Sequence, residues 1–436
     1  MITRQLAAAT FVMLTPLAGA HAQSSASDTL RLGALQASAL QRDPRGRELE
    51  LFTAQSRLRQ KNFDAEQRPS FSMESQAQHQ SDVARILLAL PGGVTLPTPA
   101  HDTYDAHAAV QQRIHDPSVA PRRAVEDAQL AESQARLRVA LFGVRQNVSD
   151  VFFASLGAQT QIAELETTIT DLEAQARVAE ARVREGAALP SEELALRVEL
   201  LRRRQGVGEL AATRRASLEV LADLTGQRLD SVSPLGAPDL SAEVARVRRT
   251  LTDVRWRAEY EQFARTRDVL ERQDAARAAQ DKPRVSAFGR VGYGRPGLNP
   301  LNDKFDKYWL AGVRLQWTPW NWGTTSRDRE VLALQRQIVS ADEQNFTETL
   351  RRAVAQDLAS IDRLAGTLAV DDEIIALREH IAAETRARFG EGVVTSAEYV
   401  DRETDVLSAR ISRASHRVEV AEARARFLTT LGIEVR

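Results

Sequence analysis

Apolar residues recur along this chain with two different periods, and the periods mark two kinds of structure. Leu141, Val144, Val148, Val151, Ser155, Ala158, Ile162, Leu165, Ile169, Leu172, Ala176, Ala179 and Val183 step strictly by three and four. Such a seam predicts a long helix packed in coiled-coil fashion, and its many small residues allow a partner helix to come close. Over residues 285–293 and 309–317 the period falls to two. In the second of these, Trp309, Ala311, Val313, Leu315 and Trp317 share one face, while Leu310, Gly312, Arg314 and Gln316 share the other. A Gly/Pro/Asn-rich loop joins them, which predicts a β-hairpin with one apolar face. Residues 70–79 and 104–114 predict a weaker hairpin of the same form, around a Pro- and Gly-rich loop that includes Pro91.

Taken in order, these elements form a tandem duplication. A first repeat, 23–233, carries a helix over about 28–67 interrupted at Asp43-Pro44, then strands at about 70–79 and 104–114. Long helices at about 118–185 and 191–225 complete it. Pro234, Gly236 and Pro238 mark a linker, 234–240. The second repeat, 241–436, has a helix over about 241–279, strands at about 284–293 and 308–318, and long helices at about 326–389 and 395–431. Arg182 and Gly186 at the first helical turn fall in register with Arg388 and Gly392 at the second. The first long helix of each repeat would span roughly 100 Å at the helical rise per residue.

Composition narrows what such a chain can be. A net charge of −1 gives no general attraction to nucleic acid, and the Arg-rich runs alternate with acids and leucines as solvated helix faces do. The chain has no cysteine, so disulfides, thiolate metal sites and a lipid-modified cysteine are excluded. Arg4, the apolar run from Leu6 to Leu14 and Ala20-His21-Ala22 read as a signal peptide over 1–22, cleaved before Gln23. No apolar run is long enough for a transmembrane helix, so any membrane crossing falls to the strands.

Strands of about ten residues can cross a bilayer when tilted, but four cannot close a barrel, and open edges are not tolerated in hydrocarbon. Either the strands lie outside a membrane or several copies pool them. Tyr293, Tyr308, Trp309, Trp317, Trp320 and Trp322 would then form aromatic girdles at the membrane interfaces. The competing reading is a local aromatic core between hairpin and helices.

The chain resembles the TolC-like outer-membrane efflux proteins over essentially all of its mature length. The resemblance lies in Leu30–Leu35 with Asp43 before Pro44, Gly292–Asn299, Trp317–Gly323 and Arg388–Gly392, in that order and within a duplicated plan. It implies a mainly α protein with membrane β-strands: a homotrimer whose twelve-stranded barrel continues into a periplasmic α-helical barrel. It implies an outer-membrane duct, without cofactor, metal or catalytic residue, serving a tripartite efflux or type I secretion system. The loops near Pro91 and Pro296 would be extracellular. The helical tips would meet a periplasmic adaptor of an inner-membrane transporter through Arg182, Gly186, Ala187, Leu189, Arg388, Gly392 and Val393. Glu398 and Asp401, six and nine residues after Gly392, match the family's periplasmic gate, and Glu192 matches the first of them in the other repeat. Acids in the first turns of helices also favour the macrodipole, so the same residues admit a purely structural role.

Other classes fit less well. The seven histidines show no H-E-x-x-H spacing, and neither G-x-S-x-G nor a phosphate-binding loop is present, which argues against an enzyme. A periplasmic coiled-coil adaptor or scaffold without a barrel is the alternative. It would need a β-rich flanking domain and usually a single helical hairpin, whereas this chain has two.

Overall fold

The computed structural model describes residues 29–83, 98–230, 233–251 and 255–435. The expected signal peptide and the loop around Pro91 lie outside them. Helices α1 (Leu32–Arg42) and α2 (Glu48–Glu66) lead into strands β1 (Ser70–His79) and β2 (Asp102–His115). Helices α3 (Val119–Arg184) and α4 (Pro190–Thr225) follow. The second half repeats the plan with α5 (Ser241–Thr250), α6 (Ala258–Gln280), β3 (Arg284–Arg295), β4 (Asp306–Gln316), α7 (Thr324–Gly390) and α8 (Ser396–Thr430). Between α1 and α2 a short 3-10 turn, Pro44–Arg47, is capped by Asp43, whose carboxylate accepts from the Arg45 amide at 2.9 Å.

The single helix expected over 241–279 is two helices, and tertiary contacts explain the interruption. Arg257, in extended conformation, lies 4.0 Å over the Phe142 ring and donates to the Thr430 carbonyl at 3.3 Å. Seating that guanidinium between α3 and the end of α8 outweighs the local helical preference.

The strands form one antiparallel sheet in the order β1-β2-β3-β4, so β1 and β4 are open edges. Below the sheet the helices pack side by side. In the half nearer the sheet the neighbours run α2, α3, α6, α7. In the far half the order is α4, α3, α8, α7, so the two hairpins meet where α3 packs on α8, with α4 and α7 on the flanks. The main core sits midway, where Leu32 and Leu35 of α1 meet Val148, Phe152 and Leu156 of α3, Leu221 of α4, and Phe427 and Leu428 of α8. A parallel bridge between Leu30 and Leu235 ties the linker to the start of α1. In the helical seam, Val144, Val148, Ser155, Ala158, Leu165, Leu172 and Ala179 are buried, as coiled-coil packing requires.

Beside this core is a pocket of about 190 Å³ whose lining includes Asp150, Arg257, Glu422 and Arg426. Burial pushes the Glu422 carboxyl above its usual range, with Arg426 opposing and Asp150 adding to the rise; burial pushes Asp150 up as well. A carboxyl raised in the folded state contributes stability while protonated and loses it as pH climbs through the raised value. The native chain and Glu422→Gln are therefore expected to melt together near about pH 3.5. Near neutral pH the amide variant should melt a few degrees higher. Coincident thermal transitions at neutral pH would show that Glu422 ionises there without cost.

Candidate functional site

The register of the sheet sorts its residues cleanly into two faces. Met73 pairs with Ala108, Ala108 with Val291, and Val291 with Trp309. That face also presents Phe71, Tyr104, Val110, Val285, Tyr293, Val313 and Leu315, because successive side chains alternate. It is bare: Met73 is 87% exposed and Trp309 75%. The opposite face carries Glu74, Asp105, His107, Arg290, Arg314 and Gln316. There His107 meets the Asp105 carboxylate at 2.6 Å, and the Tyr308 hydroxyl donates to Asp105 as well. Gly292 makes room for the Tyr308 ring, since a Cβ there would lie 2.5 Å from it.

Tyr308 is thus on the polar face, which corrects its expected place among outward aromatics. The remaining aromatics gather at both ends of the sheet. Phe305 stacks on Tyr293 and Tyr104, with ring centres 5.4 and 6.0 Å apart, beside the loop between β3 and β4. Trp317, Trp320 and Trp322 are exposed at the helical end, Trp320 and Trp322 edge to face at 5.9 Å. Tyr104 and Phe305 were not among the expected aromatics, although Tyr104 sits on the apolar parity of its strand. In this second repeat the chain turns from strand to helix through Trp322 and Gly323, with φ of 56° and 76°. The first repeat makes the same turn without glycine: Asp116 accepts from the Ser118 amide at 3.0 Å and its hydroxyl at 2.6 Å.

At the far end of the helices the two tips are built alike. The Gly186 amide donates to the Val183 carbonyl at 3.1 Å and the Ala187 amide to Arg182 at 2.8 Å. The Gly392 amide donates to Phe389 at 3.0 Å and the Val393 amide to Arg388 at 2.9 Å. Both glycines have positive φ, 74° and 76°, the left-handed helix stop that side chains with a Cβ resist. Gly186, Ala187, Leu189, Arg388, Gly392 and Val393 are exposed at these tips. Arg182 is not available in the way expected of it. Its guanidinium donates to the Phe389 carbonyl at 3.1 Å and to the Gly390 carbonyl, binding the first tip to the end of α7.

Behind that clasp lies a small separate core of Ala179, Leu196, Phe389, Val394 and Tyr399. Tyr399 stacks on Phe389 with ring centres 5.0 Å apart. Its hydroxyl is buried beside the ion pair of Arg386 and Glu403, 2.9 Å apart; burial first, then the Glu403 charge, pushes the phenol up to about 12. Tyr399 therefore stays neutral at any physiological pH and works as a packing group. Sequence reasoning missed this pin, and its available signal was the aromatic pair flanking the second turn.

The expected gate acids sit just beyond the pin. Glu398 occupies the first turn of α8, behind a Thr395 cap whose hydroxyl accepts from the Glu398 amide at 3.3 Å. Glu398 and Asp401 lie on one helical face, both exposed, and neither side chain forms an ion pair among the described residues. The neighbouring acids are engaged: Glu403 with Arg386 and Asp405 with Arg402. Glu192, in the first turn of α4, is half-buried, and no described contact joins it to Glu398 or Asp401.

A four-stranded sheet, bare on its apolar face and set on two antiparallel helical hairpins, is a fold this chain shares with solved outer-membrane channels along nearly its whole length. A membrane protein from Pseudomonas aeruginosa is 17% identical with a TM-score of 0.67, covering 93% of this chain and 91% of its own. The open state of the MtrE outer membrane channel of Neisseria gonorrhoeae gives 17% and 0.65, with coverage of 93% and 90%. CusC, described in terms of transmembrane channel formation, gives 16% and 0.65, with 92% of each chain covered. No family model and no curated protein matches the sequence.

Proposed function

We propose that this protein is a passive outer-membrane duct, assembled as a homotrimer, that carries substrates delivered by an inner-membrane pump through a periplasmic adaptor. The observation that carries the reading is the sheet: one face apolar and uncovered, the other polar, both edges open. In water such a sheet would expose a large apolar patch and two pairing edges, each an aggregation hazard. In lipid the apolar face is satisfied, and three copies joined edge to edge make a twelve-stranded barrel with the Asp105, His107 and Arg290 face lining its bore. Tyr104, Tyr293 and Phe305 would then lie at one interface and Trp317, Trp320 and Trp322 at the other.

The helical flanks support the same assembly. Exposed apolar residues line α7 at Val331, Leu334 and Ile338 near the sheet and at Val370, Ile374, Leu377 and Ile381 farther down. The opposite flank offers Leu51 and Leu58 of α2, then Leu194, Val198 and Leu201 of α4. Helical spacing puts each set on one face, and a closed ring brings the α7 face of one copy onto the α2 and α4 face of the next. The adaptor-facing surface is the exposed tips at Gly186, Ala187, Leu189, Gly392 and Val393. Structural likeness to solved outer-membrane channels, CmeC of Campylobacter jejuni among them, supports a duct rather than an enzyme and an outer-membrane location.

The test is extraction and conductance. The protein should sediment with outer membranes, require detergent for release, weigh three protomers by native mass spectrometry, and form ion-conducting pores in planar bilayers. Recovery from the soluble periplasm without detergent would overturn the reading in favour of an adaptor or scaffold.

A further inference from the structure

We infer that Arg388 is the interprotomer counterpart of Arg182, an arginine that clasps the helical tip of the neighbouring copy and closes the ring of six tips. The inference rests on the trimer proposed above and adds a specific contact to it. Within one chain, the Arg182 guanidinium spans the gap between tips and donates to the Phe389 and Gly390 carbonyls at the end of α7. Those carbonyls belong to the last turn of a helix, where acceptors lack intrahelical partners and the dipole favours a cation.

The duplication sets the equivalences residue by residue. Arg182 corresponds to Arg388, and Phe389 and Gly390 correspond to Val183 and Arg184. The two tips have the same hydrogen-bonded turn, as the paired bonds of Gly186 and Gly392 and of Ala187 and Val393 show. Yet only one of the two clasps is made. Arg388 is exposed and forms no side-chain hydrogen bond or ion pair among the described residues. No described side chain donates to the Val183 or Arg184 carbonyl either.

Burial along the helices supports the same step. Inside the chain, α3 packs on α8. The repeat converts that contact into α7 of one copy against α4 of the next. Leu407 of α8 is 6% exposed, whereas its counterpart on α4, Leu201, is 58% exposed. Thr168 of α3 is 3% exposed and its counterpart on α7, Ile374, is 39% exposed. The intrachain positions are covered and their copies are bare, as expected if a second molecule of this chain covers them. Two residues are not repeated: Val183 replaces Phe389, so the ring that Arg182 approaches at 6.0 Å has no equivalent for Arg388, and Arg184, paired with Glu180, replaces Gly390.

The chain contains no cysteine, so thiol chemistry reports introduced sites alone. Arg388→Cys combined with Arg184→Cys should be joined by a short bis-methanethiosulfonate reagent, because an arginine reaches farther than a disulfide. Non-reducing gels should show a covalent species at three times the monomer mass. Arg182→Cys with Gly390→Cys, the intrachain equivalent, should react within the monomer; the space beside Gly390 is open. Native mass spectrometry of the unsubstituted protein in detergent reads the trimer separately. A trimer whose 388/184 pair stays uncoupled, or couples only within the monomer while the 182/390 pair reacts, overturns the clasp and leaves the duct standing. A monomer overturns both. As a second measurement, Arg388→Ala should stay trimeric and pass severalfold more current in planar bilayers; unchanged conductance would count against the clasp.

Discussion

Glu398→Gln combined with Asp401→Asn is expected to weaken multivalent-cation block of the reconstituted pore by about a hundredfold, a net change of about 2.8 kcal/mol. Both acids are exposed, share a face of α8, and are left without an ion pair among the described residues, while Glu403 and Asp405 beside them are engaged. In the proposed trimer they would form two rings of three carboxylates each. A divalent ion about 8 Å from one carboxylate gains roughly 4 kcal/mol at an effective dielectric of 20, before the cost of its own dehydration. Even a fraction of that sum over the rings exceeds the change expected. The cation would also draw three α8 helices together, so resting conductance should rise severalfold in the double variant. Unaltered block and conductance would reduce Glu398 to a first-turn acid that stabilises its helix and Asp401 to a solvated acid one turn on. Glu192→Gln is expected to do little, because its helix lacks a second acid at the position of Asp401: Ala195 stands there.

The response should depend on the pin behind these acids. Tyr399 stacks on Phe389, and Phe389 supplies one of the carbonyls that Arg182 holds. The N-terminal turn of α8 is thereby fixed to α7, and α7 to the first tip. In the proposed duct, a gate opened by an adaptor would have to loosen this chain of contacts, and truncating a buried aromatic such as Tyr399 costs about 3–5 kcal/mol. In the proposed trimer, movement at the tips and the separation of the acids on α8 would therefore be linked through named side chains.

Much of this was written in the sequence because the fold is built from two simple periods. The heptad seam of α3 and the alternation in β3 and β4 survive as buried and exposed faces with little change. Even the position of Tyr308 was legible, since it shares parity with Leu310, Gly312 and Arg314; grouping it by residue type with the tryptophans hid that. The break before α6 was not legible, because it depends on Arg257 finding Phe142 and Thr430, residues far away in the chain. The role of Arg182 was hidden for the same reason. Sequence shows an arginine near a turn, and only packing shows that it faces carbonyls of the other repeat rather than solvent.

The second large effect concerns the sheet. Met73→Arg is expected to prevent insertion of the protein into the outer membrane, whereas Ser72→Arg, one residue away, should insert and conduct. The two positions are adjacent in β1 and pair with Ala108 and Ala109, but strand geometry points them in opposite directions. Met73 lies on the bare face in the row of Ala108, Val291 and Trp309, which the proposal puts against lipid. An arginine on a lipid-facing strand near the midplane costs about 2–4 kcal/mol, and every copy in the barrel bears it. Ser72 lies in the row of Ala109, Arg290 and Leu310, on the face that would line the bore, where a charge remains hydrated. The pair separates lipid exposure from local strand propensity, because both variants change the same strand by the same residue type. If both insert equally well, the apolar face does not meet lipid and the open edges of β1 and β4 must be covered by something other than neighbouring barrel strands. If Ser72→Arg alone fails, the faces are reversed: the apolar residues would line an interior and the charged row would face outward, incompatible with a membrane barrel. Only insertion of Ser72→Arg with exclusion of Met73→Arg agrees with a barrel whose polar face encloses its channel.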